Sequence, residues 1–377
     1  MLSRTLRGRG DWLTMMLHAG QISRADDGRE ERDARARFYK GFGDTLQWPM
    51  CRDARLMIQA HSNLIAGLSL AVVATLSWAL NFIAPYVTGA YTIYDLLIVR
   101  FLIAGALGLG VVVLYRAQLR LLRRSQLLLA ASLGVIGYLG YSACIAAGII
   151  FGGPVLTPAF IGMVPVLLAL LGNATAKTLQ WRKLAIPLFF LTVGLLLSNL
   201  GALHQPVSGD GTWLLGLLFS IGAVVLWLAF SWLNQRALLK LPPHASGAWT
   251  GLMVAGAGVG TLCLLPIVQA LDLLKLPSLG FSVPVAGPLY LWGFVIALMS
   301  SVIGAWAWNA ASRRLPMVLS GQLIALESLF ATLLGLWFHH RLPTLLEASG
   351  LAAVLVGVVM AVRIILTAQG STTVDAP

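Results

Sequence analysis

The chain has 377 residues, of which 58% are apolar and only 11% are charged. A soluble protein of this length carries about 25% charged residues, so the composition excludes an ordinary soluble enzyme as well as disordered and fibrous classes. Cys51, Cys144 and Cys263 are too few and too scattered for a disulfide framework or a metal cage. The formal net charge of +12 would suit nucleic acid, but its distribution along the chain favours a membrane protein, and no nucleic-acid partner is expected.

Ten apolar runs follow one another along the chain, and each is long enough to cross a bilayer. A hydrocarbon core about 30 Å thick needs about 20 helical residues. The runs lie near 64–85, 94–115, 126–148, 152–173, 184–202, 212–234, 246–268, 288–309, 317–338 and 345–366. They lack the alternation of a membrane β-barrel, so helices must satisfy the backbone in lipid. The predicted fold is an all-α integral membrane protein with ten transmembrane helices.

The basic residues predict the orientation of these helices. Of the 26 Lys and Arg residues, 23 fall in the N-terminal segment and in the alternate connections that share its side. Only Lys275 and Arg341 lie on the other side, and Arg100 lies within a span. Because cytoplasmic loops hold the positive excess, both termini are predicted to be cytoplasmic. The excess also explains the net charge, since it meets anionic membrane lipid.

Residues 1–62 differ from the rest because they mix many arginines with eight acidic residues. Organelle transit peptides are poor in acids, and no signal peptide is expected here. The segment is interpreted as a basic cytoplasmic extension that is disordered or weakly helical. A second hypothesis is a mis-assigned start, with Met50 or Met57 as the true first residue.

The ten runs divide into two sets of five that resemble each other. The segment from Pro154 to Pro165 in the fourth run and the segment from Pro316 to Glu327 in the ninth are eleven-residue steps that continue into Leu/Ala runs. Because five is odd, a tandem copy must have inverted topology, as in many secondary transporters. The predicted domains are two inverted five-helix repeats, residues 63–202 and 203–368, followed by a cytoplasmic tail, 369–377. Chance similarity between Leu/Ala/Gly helices is the alternative.

Four short motifs are distributed over the ten runs. They are Trp78–Phe82 in the first run, Arg100–Phe101 in the second, Pro165–Leu168 in the fourth and Leu326–Ala331 in the ninth. Together they resemble the drug/metabolite transporter superfamily, in its EamA-type ten-helix branch, over about residues 63–368. The resemblance implies a secondary transporter of the bacterial inner membrane that exports or exchanges small organic metabolites, such as amino acids or amphipathic compounds, by alternating access. The Gly-Glu pairs that often follow spans four and nine are absent here, so no particular substrate is carried over.

Two ionisable residues lie well inside predicted spans, where a charge costs about 2.5–3.5 kcal/mol on the insertion scale. Glu327 lies about 15 Å along its helix, near the midplane, and Arg100 about 9 Å deep. Arg100 either snorkels and caps carbonyl groups or attracts a substrate carboxylate. Glu327 either locks helix packing as a neutral or Ser-paired group, or couples proton and solute movement.

Aromatic and amide side chains interrupt the aliphatic helices, and a pocket lined by them would suit aromatic or amphipathic solutes. The candidate substrate-binding residues are Trp78, Asn81, Arg100, Tyr138, Tyr141, Trp227, Trp306, Asn309, Gln322 and Glu327. Four other tryptophans near span ends are interpreted as an interfacial belt: Trp213, Trp249, Trp308 and Trp337. Pro158 and Pro165 make span four the predicted moving element. A homodimer is left open, although the small-xxx-small spacing of the glycines more often serves close helix packing than a dimer interface.

The sequence contains no phosphate loop, zinc pair or nucleophile elbow, so no cofactor, metal or enzyme activity is expected. The adjacent His339 and His340 would point apart on a helix and are interpreted as loop residues. The alternative function is an integral-membrane enzyme acting on a lipid-linked substrate, with Arg100, His204 and Asp210 as its site.

Overall fold

The computed structural model describes residues 49–177, 179–199 and 213–372, and all regular structure within these ranges is helical. Most of the predicted extension and the end of the predicted tail lie outside them. The residues from Leu64 onward form one compact unit. The described part of the preceding unit, residues 49–63, is helical.

Helices longer than six residues are numbered here α1 to α13 in chain order. They are α1 (Pro49–Ala79), α2 (Ile93–Leu114), α3 (Arg124–Gly134), α4 (Tyr141–Gly162), α5 (Val164–Ala176), α6 (Trp181–Asn199), α7 (Trp213–Lys240), α8 (Ser246–Ala270), α9 (Val283–Ile296), α10 (Ala305–Ser312), α11 (Met317–Leu323), α12 (Ala325–Phe338) and α13 (Leu345–Thr372). Two π-helical segments, Val135–Gly140 and Ala297–Gly304, join α3 to α4 and α9 to α10. Short helical turns lie at Leu80–Ile83, Ala84–Val87, Arg116–Leu119, Pro243–Ala245 and Leu276–Leu279.

Nine helical stretches within the described ranges are long and apolar enough to cross a membrane. They are Ser62–Ile83, Ile93–Leu114, Arg124–Gly152, Leu156–Ala176, Trp213–Lys240, Pro243–Ala270, Val283–Ser312, Met317–Phe338 and Leu345–Thr367. They correspond to the first four and the last five of the ten predicted runs, which confirms an all-helical, multi-pass membrane protein. Each span keeps the number of its run, so Val283–Ser312 is the eighth span and Met317–Phe338 is the ninth. The fifth run forms helix α6 but is not among the nine, and its predicted end at residue 202 lies outside the described residues.

Two of the spans are interrupted near their middle. Helix α4 ends at Gly162 and α5 begins at Val164, with Pro165 in its first turn. Proline has no backbone N–H and is tolerated in a first turn, where that donor has no partner. In the ninth span α11 ends at Leu323 and α12 begins at Ala325, with no proline at the break.

Helices α2 and α8 cross with their backbones almost touching. A Cβ atom on Gly105 would lie 2.7 Å from the Cα of Gly258, and one on Gly108 would lie 2.6 Å from the backbone nitrogen of Ala255. Small residues permit such an approach in a membrane, where van der Waals contact replaces the hydrophobic effect. The contacting positions ascend along α2 as they descend along α8, so the two helices are antiparallel.

Two further pairs cross in the same way. A Cβ atom on Gly172 of α5 would lie 2.8 Å from the nitrogen of Val318, and one on Gly321 of α11 would lie 2.8 Å from the nitrogen of Ala169. Helices α6 and α13 also meet through small residues, since a Cβ on Gly194 would lie 2.6 Å from the nitrogen of Val354. These contacts make the glycines a packing device within one chain.

Asp95 lies fully buried in the first turn of α2, where it fastens the start of this helix to the loop after α8. Its carboxylate accepts hydrogen bonds from the backbone N–H of Thr92 (2.8 Å), Lys275 (3.1 Å) and Leu276 (3.0 Å) and from the Thr92 hydroxyl (2.9 Å). A buried carboxylate is stable only when its lone pairs are satisfied in this way.

The predicted belt of tryptophans is only half right. Trp213 and Trp337 are 51% and 69% exposed, as interfacial residues should be. Trp249 and Trp308 are 0% and 2% exposed and belong to the core, which contradicts the prediction. Distance from the end of a helix indicates depth but not which face the side chain occupies, and these two rings face neighbouring helices.

Candidate functional site

A cavity of about 40 Å³ lies among the membrane-spanning helices. Its walls come from α1 and the turn after it, α2, α4, α7, α12 and both π-helical segments. The lining residues are Trp78, Asn81, Arg100, Gly137, Tyr138, Tyr141, Ser142, Trp227, Ser300, Ser301 and Glu327. Seven of the ten predicted site residues are among them, so residues that lie far apart in sequence meet at one place within the membrane.

Both π-helical segments contribute to the wall of this cavity. Val135–Gly140 carries Tyr138, and Ala297–Gly304 carries Ser300 and Ser301. A π-helix widens the turn and breaks the regular backbone ladder, and such segments occur frequently at functional sites. The widening occurs where each span faces the cavity.

Aromatic rings form one side of the cavity. The rings of Trp78 and Trp227 meet edge to face, with centroids 5.3 Å apart and an interplanar angle of 84°. Tyr141 lies against Trp227 at 4.7 Å. The Trp78 indole donates a hydrogen bond to the Ser300 carbonyl at 3.2 Å, which fixes that ring between α1 and the second π segment. These rings form an apolar wall held in place by their contacts, and its polar groups are the indole N–H and phenol O–H at the ring edges.

Three buried polar atoms of the cavity have no hydrogen-bond partner among the described residues. They are Asn81 Oδ1, Tyr138 Oη and Trp227 Nε1. Leaving such an atom unpaired costs about 1–3 kcal/mol, and native proteins pair the great majority of them. Two of the three can donate, and all belong to one cavity. The arrangement points to water or a polar ligand as the missing partner.

Arg100 enters the cavity with its charge uncompensated. Its Nε donates to Ser301 Oγ at 3.3 Å, and its guanidinium carbon lies 4.4 Å from the Phe101 ring centroid. No carboxylate oxygen of a described residue lies within 4.0 Å of the Arg100 guanidinium. The ion pair that the described residues do form joins Arg341 to Glu347, away from the cavity. The guanidinium therefore keeps donors available for a ligand.

Glu327 lies in the first turn of α12 and lines the same cavity. Its carboxyl group makes no hydrogen bond within the described part of the chain, so the predicted pairing with a serine is not observed. It also borders a second small cavity of about 20 Å³ that reaches Pro165 and Ser328, at the breaks of the fourth and ninth spans. The carboxyl thus lies where these interrupted spans meet the aromatic wall.

Three predicted site residues lie elsewhere. Trp306 is 47% exposed and lines a separate groove between α2, α8 and the eighth span. Gln322 is buried in α11, where its Nε2 donates to the Val318 carbonyl at 3.3 Å. Periodicity shows which residues share a helix face, but not which neighbour that face meets.

Asn309, the third of these residues, belongs to a buried hydrogen-bond network. Its Oδ1 accepts from Asn234 Nδ2 at 2.7 Å and its Nδ2 donates to Thr250 Oγ1 at 2.8 Å. The Trp249 indole donates to Asn234 Oδ1 at 2.9 Å. These bonds join α7, α8 and α10, so Asn309 supports the packing of helices.

The sequence interpretation missed the small polar part of the site, namely Ser142, Ser300 and Ser301. Serine is common in membrane helices as packing glue, so single serines give little signal. The adjacent pair at 300–301, in an otherwise apolar run, was the available clue. Of the residues suggested for an enzyme site, His204 and Asp210 lie outside the described residues.

Metal-ligand geometry gives no further site in the described residues, where no three His, Cys, Asp or Glu side chains come together. The ring of His339 packs against Tyr86 at 4.9 Å, edge to face. Outside the spans, burial and the neighbouring Arg314 lower the pKa of Arg313, whose guanidinium donates to the carbonyls of Leu238 (2.7 Å) and Leu241 (2.9 Å). This arginine closes the end of α7.

Comparison with known proteins places these features in a family. No protein-family model matches the sequence. A solved crystal structure superposes with a TM-score of 0.61 at 20% identity, covering 78% of this chain and 97% of that one, which shows a shared fold. The uncharacterized transporter YyaM of Bacillus subtilis (strain 168) is 28% identical over 182 residues, 47% of this chain and 54% of that protein.

A longer match carries the assignment. The inner membrane protein YtfF of Escherichia coli (strain K12) is 30% identical over 315 residues, which cover 80% of this chain and 96% of that protein. The aligned length spans nearly the whole relative. The chain therefore belongs to the family of the inner membrane protein YtfF.

Proposed function

We propose that this protein is a secondary transporter of the drug/metabolite transporter superfamily, EamA-type, which moves a small organic solute across the inner membrane by alternating access. The observation that carries the proposal is the intramembrane cavity in which Arg100, Glu327 and three unpaired polar atoms meet an aromatic wall. Polar groups at this depth are expensive, and they mark transport pathways. The name of the relative YyaM, an uncharacterized transporter, agrees with this function.

The proposal includes ten crossings, with α6 as the fifth. Consecutive spans alternate in direction, so two helices separated by four crossings are antiparallel. Helices α2 and α8 are antiparallel through the contact of Gly105 with Gly258. Only three of the nine candidate spans lie between them. With three crossings the pair would be parallel, so the antiparallel packing supports a crossing by α6.

The two halves are proposed to be inverted repeats. The π-helical segments begin at Val135 and Ala297, 162 positions apart. The similar steps of the fourth and ninth runs begin at Pro154 and Pro316, which are also 162 apart. A sequence similarity and a rare backbone feature thus share one offset. With five crossings per half the copies have opposite orientation, and a site between such repeats lies near the midplane.

Alternating access follows from the size of the cavity. A water needs about 10–15 Å³ of such space, so about 40 Å³ admits only a few waters. The solute therefore enters only after the cavity widens toward one side. The breaks at Met163 and Ile324 adjoin the second small cavity, which shares Glu327 with the central one, and they supply positions at which the fourth and ninth spans bend.

The charges suggest what is moved. An anionic headgroup on the solute would compensate Arg100 and accept from Trp227 and Tyr138, while the body of the solute would lie against the rings. Glu327 has no fixed partner among the residues that the structure describes, so it can carry a proton in one direction and release it when the cavity opens to water. We therefore propose a carboxylate-bearing metabolite, such as an amino acid or an amphipathic acid, as the solute and a proton as the coupling ion.

Both termini are proposed to be cytoplasmic.

The test uses the full chain purified into proteoliposomes and a panel of radiolabelled carboxylate metabolites. We expect at least one solute to accumulate unchanged, which also separates a carrier from an enzyme, because an enzyme would convert it. Arg100→Gln should reduce uptake at least about tenfold, the effect of losing one charge-assisted bond of about 1.5–3 kcal/mol. Trp306→Phe, outside the cavity, is the matched control and should transport normally.

Proton coupling is tested separately. Glu327→Gln should keep binding of the solute but remove the dependence of uptake on external pH and on an imposed pH gradient. An unchanged pH profile would remove the coupling role. Conversion of every solute without accumulation, or equal losses in Arg100→Gln and Trp306→Phe, would refute the transporter proposal itself.

A further inference from the structure

A groove on the outside of the helices is larger than the central cavity and separate from it. It has about 240 Å³ of space. Its walls are apolar side chains from α2, α8 and the eighth span, together with glycine backbone of α2 and α8. The lining residues are Gly108, Val111, Tyr115, Gly247, Thr250, Gly251, Val254, Val302, Ile303 and Trp306.

The groove runs along α8 from Gly247 to Val254, about 10 Å at 1.5 Å per residue, which is most of the depth of one leaflet. All of its residues belong to candidate spans or directly follow one. Trp306 and Tyr115 at its rim are 47% and 37% exposed. Surface exposed at this depth faces lipid chains, so the groove is a place where an acyl chain fits.

One end of the groove is positively charged. Tyr115 lies over Gly247, and the chain continues from it into exposed Arg116 and Arg120. Neither arginine makes an ion pair with another described residue. The turn Arg116–Leu119 packs against Pro243–Ala245, which precedes α8, so both walls of the groove converge at this end. A cation beside an apolar slot matches the two parts of a phospholipid.

We propose that the groove binds one anionic phospholipid, with an acyl chain between α2, α8 and Trp306 and the phosphate at Arg116 and Arg120. The charge decides between a lipid and a second copy of the chain. A two-fold dimer would place the same patch of both subunits face to face, and so bring both arginine pairs together without a carboxylate. An anionic headgroup neutralises them instead.

The test is native mass spectrometry of the purified full chain, released from micelles that contain equal amounts of phosphatidylglycerol and phosphatidylethanolamine with identical acyl chains. We expect one retained phosphatidylglycerol. Arg116→Gln with Arg120→Gln should lower the preference for it about thirtyfold, since each basic residue near an anionic headgroup contributes about 1 kcal/mol. Arg182→Gln with Lys183→Gln, in another basic loop, should leave the preference unchanged.

Two groove-filling variants probe the acyl chain. Ile303→Trp and Val111→Phe act from opposite walls, and each should lower retention of both lipids at least about fivefold while the thermal midpoint stays near that of the wild type. If one variant unfolds, the other still decides. Unchanged retention in the folded variant would overturn the proposal. The proposal would also be overturned if the Arg182/Lys183 control lost the preference for phosphatidylglycerol equally. A wild-type dimer mass that disappears in the groove-filling variants would overturn it too, because a second copy would then occupy the groove.

Discussion

Asp95 offers a sharp test of how the membrane domain is held together. Its carboxylate accepts four hydrogen bonds, two within the Thr92 capping box and two from the backbone of Lys275 and Leu276. Replacement by Ala should cost about 1 kcal/mol for the cap. It also leaves two partly buried backbone donors unpaired, at about 1–3 kcal/mol each. We expect a total loss of about 3–7 kcal/mol.

Milder substitutions separate the contributions to this loss of unfolding free energy. Asp95→Asn keeps one carbonyl acceptor and should lose about half as much, and Thr92→Val should lose only about 1 kcal/mol. Asp272→Asn is the control, because it removes an acidic charge from the same loop at a side chain that makes no hydrogen bond to any described residue. Equilibrium unfolding in mixed micelles gives the free energies. An Asp95→Ala protein within about 1 kcal/mol of the wild type would refute the reasoning.

Three further predictions concern packing, buried polarity and pH. Gly105→Ala should lose about 1–3 kcal/mol despite the higher helix propensity of Ala, because the new methyl meets the backbone of Gly258; unfolding in micelles measures this. Asn309→Ala should lower the free energy of unfolding by about 1–3 kcal/mol. In a double-mutant cycle, the loss in Asn309→Ala with Asn234→Ala should be smaller than the sum of the two single losses. Burial first, then Tyr290 and Asp95, raises the pKa of Tyr91, so the folded state holds this proton longer than the unfolded state. Stability should therefore fall as pH rises above about 10, and Tyr91→Phe should flatten that fall in alkaline titration.

The sequence predicts the helices well because a bilayer leaves the backbone few choices. An apolar run of about 20 residues must be a helix in lipid, and nine of the ten runs are matched by candidate spans. The remaining run, α6, carries Trp181, Arg182 and Lys183 at its start and borders residues that are not described. The π-helical segments were not predicted, since a change of one residue per turn leaves no trace in an apolar pattern.

The site was predicted in part, and the successes share a cause. Arg100 and Glu327 were identified because a charge in lipid needs a polar interior, and both line the cavity. Trp306 and Asn309 were placed there on residue type alone, and type does not decide which neighbour a helix face meets. Asp95 could not be recognised because two of its partners lie on a loop 180 and 181 positions away.

Two sets of buried polar side chains, the Asn234–Asn309 network and the central cavity, differ in whether their hydrogen-bonding atoms are paired, and this difference indicates which set supports packing and which binds a solute. The amides of Asn234 and Asn309 are paired with each other and with Thr250 and Trp249, so nothing is gained if they move. Such a satisfied network rigidifies the helices that carry it. In the central cavity, by contrast, Asn81 Oδ1, Tyr138 Oη and Trp227 Nε1 are unpaired among the described residues, so their lowest free energy requires a partner that arrives from outside. Helices α7, α8 and α10 should therefore shift together as one body during transport, while the cavity opens along the side where Glu327 and the breaks of the fourth and ninth spans lie.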